Sequence, residues 1–291
     1  MKYHVDGDLV PADEASVNVR DRGFRYGDAA FETLRAYGGS IFEWDAHEAR
    51  LRRTARQLGF GDAVPDDLRE RVRETLAAND LDEAYVRLSV TRGAGAGRLA
   101  PAPDVDPTVV IIVEELPRGG LGGESVWDGP ATVQTVKTRA VPDAAVPSDA
   151  KTHNYLDGIL ARLELRRAAN EEYRADEALV RDGEGNLTEG ATSNVFLVEE
   201  GTLKTPRTDG ALLDGITRSV VLDLAAGEEF PVETGTYTTA DVREADEAFL
   251  TNTTWELRPI GRADGVAVGG GPVTRLLSRL FDERVERAHY E

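Results

Sequence analysis

Apolar residues recur along this chain with two periods. Period two marks strands. Tyr3–Val5 and Asp8–Val10 flank Asp6-Gly7, an Asp-Gly turn that predicts a hairpin. Ala30–Tyr37 and Ser40–Trp44 flank Gly38-Gly39 and predict a second one. In Ala84–Arg92, Val86, Leu88 and Val90 face one way, while Tyr85, Arg87, Ser89 and Thr91 face the other. A period near 3.6 marks helices. Asp45 is read as an N-cap, with Glu48 completing a capping box and Leu51, Ala55 and Leu58 on the buried face. Pro65 is placed at the start of the next helix, with Leu68, Val72 and Leu76 on one stripe.

The Gly-rich stretch Leu116–Ser125 follows an apolar strand and reads as a linker. Beyond it the pattern predicts a strand near Ala131–Lys137, a loop carrying Pro142 and Pro147, and a helix from about Leu156. Hairpins turning at Asp182–Asn186 and Glu200-Gly201 come next, then a helix at Thr217, a strand over Glu247–Thr251 and a last helix from about Pro272. Strands and helices intermix in both halves. This predicts an α/β (α+β) chain in two domains: a small N-terminal domain over 1–117, a linker over 118–125 and a larger C-terminal domain over 126–291.

Composition narrows the chemistry. The chain has 291 residues and no cysteine, which excludes disulfides, zinc–thiolate sites and a cysteine nucleophile. Its four histidines lack ligand spacing, so no metal site is expected. A net charge of −19 disfavours nucleic acid as a partner. The longest apolar run, Val109–Val113, is too short to span a bilayer, and the N-terminus carries no apolar signal core; a cytoplasmic location is expected. The acidic residues are dispersed and lysine is scarce, a surface expected of a salt-loving organism.

Among 34 basic residues only Lys2, Lys137, Lys151 and Lys204 are lysine. Lys151 stands in "DAKTHNYLDG", between a Pro-containing loop and a helix. Lysine, unlike arginine, can lose its proton and attack an aldehyde. An aldehyde cofactor such as pyridoxal phosphate needs in addition an acid for its ring nitrogen and a phosphate cradle. "NLTEGATSNVFLV" offers Glu189 among small residues. "LLDGITRS" places Gly215, Ile216 and Thr217 at a helix start, where backbone N–H groups hold phosphate, provided that Asp214 turns away. "LTNTTWE" adds hydroxyls after a strand.

"KTHNYL", "LTEGATSNVF" and "LDGITR", in that order, together with "RGFRYGDAAFETLR" and "HEARL", resemble the fold-type IV family of pyridoxal-phosphate enzymes over nearly the whole chain. That family holds branched-chain and D-amino-acid aminotransferases and aminodeoxychorismate lyase. The resemblance implies Lys151 as the catalytic Schiff-base lysine, Glu189 as the ring-nitrogen partner and Tyr155 near the phenolic oxygen. It implies Arg50, Ile216, Thr217 and Thr253 as phosphate ligands, with Arg52 and Arg53 as nearby alternatives to Arg50. Tyr26, Phe31, Thr33, Tyr85, Arg87, Arg92 and Thr254 are the implied substrate-binding residues. The resemblance further implies a homodimer.

The branch is mixed. Tyr85 and Arg87 resemble the Tyr-x-Arg pair that assists the α-carboxylate in branched-chain enzymes, and Glu32 in "FETLR" matches them too. The lysine-to-asparagine interval in "KTHN" and the stretch "TRGAGAGR" are similar to the D-amino-acid and lyase branches, with Arg92 as the alternative carboxylate binder. Thr33 falls where the lyase carries a hydroxyl, and "LTN" is lyase-like as well. The expected function is transfer of an amino group between an α-amino acid, branched-chain-like or related, and an α-keto acid. The alternative is release of pyruvate and 4-aminobenzoate from aminodeoxychorismate.

Overall fold

The computed structural model describes residues 1–102, 105–120, 126–170 and 174–291. Contacts divide the chain into two units. The first comprises Met1–Arg118 with Ala150–Asn154 and Val285–Glu291; the second comprises Gly119–Asp149 and Tyr155–Arg284. The two short segments of the first unit fall inside the stretch expected to form the large domain. Ala150–Asn154 joins the first unit because it pairs with a strand there. The expected linker lies outside the described residues from 121 to 125.

The first unit opens with β1 (Lys2–Val5) and β2 (Asp8–Pro11), the predicted hairpin. Then come α1 (Arg22–Tyr26), β3 (Ala29–Tyr37), β4 (Ser40–Ile41), α2 (Trp44–Gln57), α3 (Leu68–Ala77), β5 (Ala84–Thr91) and β6 (Val109–Glu115). The six strands form an antiparallel sheet ordered β2-β1-β6-β5-β3-β4. The even-numbered positions of β3 and β5 face the core, where Leu34, Val86, Leu88 and Val90 pack with Leu51, Leu68, Val72 and Leu76 of α2 and α3. Burying each such side chain contributes roughly 1.5–3 kcal/mol.

Two helix starts differ from expectation. α2 begins at Trp44, so Asp45 lies inside its first turn and there is no capping box. Its N-cap is Glu43, in left-handed backbone (φ 51°). Glu48 instead accepts from Trp44 Nε1 at 2.8 Å and Arg52 Nε at 2.9 Å. Trp44 is thereby taken from the predicted strand into the helix. α3 begins after Asp67 rather than at Pro65. α1 is an addition to the expected elements, since its five residues are too few to carry a periodic signal. Its N-cap Asp21 accepts from Gly23 N at 2.7 Å.

The second unit contains β7 (Ala131–Arg139), α4 (Leu156–Ala168), β8 (Glu177–Arg181), β9 (Leu187–Gly190), β10 (Asn194–Glu199) and β11 (Thr202–Pro206). α5 (Ile216–Gly227), β12 (Val232–Gly235), α6 (Thr239–Glu244), β13 (Glu247–Asn252), β14 (Glu256–Ala263), β15 (Val266–Ala267) and α7 (Pro272–His289) follow. The last turns of α7 belong to the first unit. The sheet runs β12-β11-β10-β13-β14-β7-β8-β9, with β15 beside β14. Val195, Leu197, Ala248 and Leu250 fill one face of β10 and β13. On the other face Phe196 and Phe249 stack at 4.9 Å, and Asn194 lies opposite Thr251.

Asp21 is fully buried and, besides the backbone N–H groups of Gly23 and Phe24, accepts from Thr91 Oγ1 at 2.7 Å. It joins α1 to the end of β5. Asp21→Ala is expected to lower stability by about 2 kcal/mol, the loss of a cap plus a buried partner. Denaturant unfolding checks this; a change below about 0.5 kcal/mol, the size of a neutral surface substitution, contradicts it.

Candidate active site

Lys151 is placed by edge pairing. Phe31 N donates to Lys151 O at 3.0 Å and His153 N donates to Ala29 O at 3.2 Å, around an isolated antiparallel bridge between Ala30 and Thr152. Side chains alternate across such a pair, so Lys151 and His153 share the face of Ala29, Phe31 and Thr33. In the β3–β5 register Phe31 faces Ser89, Thr33 faces Arg87 and Arg35 faces Tyr85. The expected substrate residues Phe31, Thr33, Tyr85 and Arg87 therefore lie on one sheet face with Lys151. Thr54 Oγ1 of α2 accepts from Lys151 N at 3.0 Å and fixes the segment from its other side.

Phe31 is the centre of this face. The Arg87 guanidinium carbon lies 3.9 Å from its ring centroid and Lys151 Nζ lies 4.6 Å from it, both within cation–π range. The His153 ring meets Phe31 edge-on at 5.5 Å. Arg87 has no hydrogen-bond partner among the described residues. Burial, with the neighbouring Arg87 charge, pulls the His153 pKa down to about 4, so its imidazole is neutral near pH 7.

Arg92 lies elsewhere. It follows β5 on the opposite parity, stacks over Phe60 at 5.0 Å and donates to Asp28 Oδ2 at 2.8 Å and to the Leu58 and Gly59 carbonyls. Its donors are taken up by structure. Tyr26 is half-buried between the Arg22 and Arg25 guanidiniums, and its hydroxyl donates to Gly97 O at 3.1 Å.

Arg50 and His47 lie three residues apart on α2 and straddle Glu32 of β3. Arg50 donates from Nε to Glu32 Oε1 at 2.8 Å and from Nη2 to Oε2 at 2.6 Å, a bidentate pair. His47 Nδ1 reaches Oε2 at 2.8 Å. All three side chains are buried. Burial alone would raise the Glu32 pKa; the Arg50 charge and hydrogen bonds, aided by His47, overcome that and hold it at about 2. Burial also lowers the His47 pKa, against the pull of Glu32. Arg52 and Arg53 do not take part; Arg52 pairs with Glu48 and Asp66.

In the second unit, Glu189 lies half-buried near the end of β9, and its Oε2 accepts from Asn194 Nδ2 and Leu213 N, both at 3.2 Å. Asn194 also donates to Leu213 O at 2.9 Å. One asparagine, missed as a functional residue, thus ties Glu189 to the turn that precedes α5. Gly215 is the N-cap of α5 and provides no side-chain cap. Asp214 turns away to Arg218 Nη1 at 3.1 Å, the condition set for a phosphate cradle at Ile216 and Thr217. A Cβ on Gly215 would collide with Asn194 Oδ1. Thr251, opposite Asn194, has a buried hydroxyl with no partner among the described residues. Thr253 and Thr254 lie in the turn after β13, where Thr254 Oγ1 donates to Asn252 Oδ1 at 3.1 Å. Tyr155 is the N-cap of α4.

The sequence profile of the Amino-transferase class IV family matches residues 29–263. Among curated relatives, a putative branched-chain-amino-acid aminotransferase of Methanocaldococcus jannaschii is 36% identical over 97% of this chain and 96% of its own. The D-alanine aminotransferase of Listeria monocytogenes is 33% identical over 99% and 97%. Among solved structures, the branched-chain aminotransferase of Thermoproteus uzoniensis with norvaline superposes with a TM-score of 0.88, at 28% identity over 100% and 96% of the two chains. A T.th. branched-chain amino acid aminotransferase complexed with N-(5'-phosphopyridoxyl)-L-glutamate gives 0.85, at 29% over 98% and 93%. The 4-amino-4-deoxychorismate lyase of Pseudomonas aeruginosa gives 0.82, at 29% over 98% and 98%. This chain belongs to the class IV aminotransferase family.

It is accordingly a fold-type IV enzyme whose cofactor is pyridoxal phosphate. The residues present fit that group. In the first unit the Lys151 amine is a group of the kind it takes, and in the second so are a carboxylate held by two donors, an uncapped helix N-terminus and an unpartnered buried hydroxyl.

The Glu32 group carries a pH signature. A carboxyl depressed from 4.5 to about 2 contributes stability that is complete above pH 4.5 and is lost as pH falls toward 2. Glu32→Gln is expected to cost on the order of 3 kcal/mol at neutral pH. The gap from wild type should close as pH is lowered through that window. Unfolding curves across pH 2–7 check this, and a pH-independent gap refutes it.

Proposed function

We propose that this enzyme transfers an amino group between an α-amino acid of the branched-chain-like class and an α-keto acid, with Lys151 as its catalytic base. The observation that carries this reading is the shared sheet face of Lys151, Phe31 and Arg87. Bound pyridoxal phosphate supplies an aldehyde and an electron-withdrawing ring that stabilises negative charge at the substrate α-carbon. Lys151 Nζ would hold the cofactor and, when free, would take the proton from the substrate α-carbon and pass it to the cofactor. Arg87 orients the substrate carboxylate, with Tyr85 assisting from the same face. Phe31, Thr33, Tyr26 and Thr254 shape the side-chain pocket. Glu189 holds the proton of the ring nitrogen. The N–H groups of Ile216 and Thr217, the Thr253 hydroxyl and Arg50 hold phosphate, and Tyr155 sits at the phenolic oxygen.

The placement of Arg92 supports Arg87 as the carboxylate residue, since Arg92 is spent on Asp28 and two carbonyls. A lyase reading keeps the support of its sequence motifs, and the Thr33 hydroxyl adds to it by lying on the Lys151 face. We further propose a cytoplasmic homodimer adapted to high salt. Leu156, Ile159 and Leu160 form an exposed apolar stripe on α4, fit to meet a second copy. Net charge of −19 with four lysines supports the salt adaptation.

Purified protein supplied with pyridoxal phosphate is expected to show a visible absorbance band that Lys151→Ala lacks. L-Branched-chain amino acids should bleach the band and yield keto acids. Bleaching by D-alanine alone, or 4-aminobenzoate from aminodeoxychorismate, would reassign the branch. Arg87→Ala should raise KM for the amino acid by about tenfold or more, the worth of a charged hydrogen bond. Arg92→Ala should act chiefly on stability; equal KM effects in steady-state kinetics would refute the distinction.

A further inference from the structure

His153 holds a position that the proposed reaction leaves unused. It is the second residue after Lys151 and its side chain emerges on the same sheet face. Its ring is fixed from two sides. Nε2 lies 3.1 Å from the Ser89 hydroxyl, and the ring edge packs on Phe31 at 5.5 Å. Ser89 is itself buried, directly opposite Phe31 in the β3–β5 register. Arg87 lies over the same Phe31 ring, close enough that its charge acts on the imidazole. Nδ1 has no hydrogen-bond partner among the described residues.

We propose that His153 is a second carboxylate-binding residue, its Nδ1–H donating to the substrate carboxylate that Arg87 orients. The inference rests on the carboxylate role of Arg87 set out above. A neutral imidazole has one donor and one acceptor, and a carboxylate only accepts. An arriving carboxylate therefore selects the tautomer with hydrogen on Nδ1, and Ser89 turns its hydroxyl hydrogen toward Nε2. Ser89 is the positioning residue that makes this tautomer available. Arg87 alone satisfies one edge of a carboxylate; a fixed neutral donor beside it adds direction without a third positive charge. That addition matters on a face that already carries a guanidinium and an amine around one ring.

A residue that merely packed on Phe31 would affect charged and uncharged ligands alike. The test therefore measures a ratio. Holoenzyme is titrated with 4-methylpentanoate and with its neutral amide, 4-methylpentanamide, and both dissociation constants are obtained by calorimetry. In wild type the carboxylate binds more tightly than the amide. His153→Phe keeps an aromatic edge on Phe31 and removes the donor; it should reduce the carboxylate preference about tenfold, the worth of one hydrogen bond to a charged group. His153→Gln keeps a donor and should restore most of the preference, and Ser89→Ala should reduce it partway. A His153→Phe preference within twofold of wild type overturns the proposal, as does parallel weakening of both ligands. Arg87→Ala separates the two readings: if it abolishes the preference while His153→Phe does not, only the His153 role falls. If neither variant changes the preference, the carboxylate role of Arg87 falls with it.

Discussion

Two backbone hydrogen bonds organise the candidate chemistry of the first unit. By tying Lys151 and His153 to the edge of β3, they give this loop segment the alternation of a strand around the single Ala30–Thr152 bridge. A strand has only two faces, so this pairing decides which side chains Lys151 can meet. A slip of one residue would place the amine with Ala30 and Glu32 on the face covered by α2. The observed register places it with Phe31 and Arg87. Thr54, from the helix that covers the other face, holds the same segment. Register is thus secured by core packing that has no chemical role of its own.

The opposite face bears the electrostatic cost. Glu32, Arg50 and His47 are buried together, and burying charge in this way is expensive unless every donor and acceptor is matched. Here the carboxylate meets two of the Arg50 donors, Nε and Nη2, and the imidazole. The group fixes α2 against β3 at the level of Lys151, and Lys151 in turn depresses His47. Such a cluster is a poor way to gain stability, since an apolar substitute avoids the desolvation. Its use is geometric: it holds the helix that carries Thr54 and Arg50 in one position.

Much of this was legible in the sequence because alternation is a direct signal. The split of Val86, Leu88 and Val90 from Tyr85, Arg87 and Ser89 matches the core and the Lys151 face. The scarcity of lysine drew attention to Lys151, and the small residues around Glu189 and Gly215 to those two; the family resemblance then implied the roles of Lys151 and Glu189, which no periodicity marks. Two kinds of feature escaped. Helix starts were misplaced where capping relied on local rules: Glu43 adopts left-handed backbone without being Asn or Gly, so Asp45 attracted the assignment. Long-range partners escaped as well. Nothing local shows that Asn194 would orient Glu189, or that Arg92 would be consumed by Asp28 and carbonyls 33 and 34 residues away. Arg87 and Arg92 are equally basic in sequence and differ only in strand parity.

That parity also explains the division between lysine and arginine in a chain so short of lysine. Arg87 cannot lose its proton, so the charge over Phe31 is permanent, which suits its proposed role of binding a carboxylate. Lys151 shares the ring but can become neutral. An arginine there would fix two permanent charges at one aromatic ring and could not serve as a nucleophile or base. The side chain that binds can remain charged, whereas the side chain that reacts must be able to discharge. Of the four lysines in the chain, Lys151 is the one for which that difference is chemical.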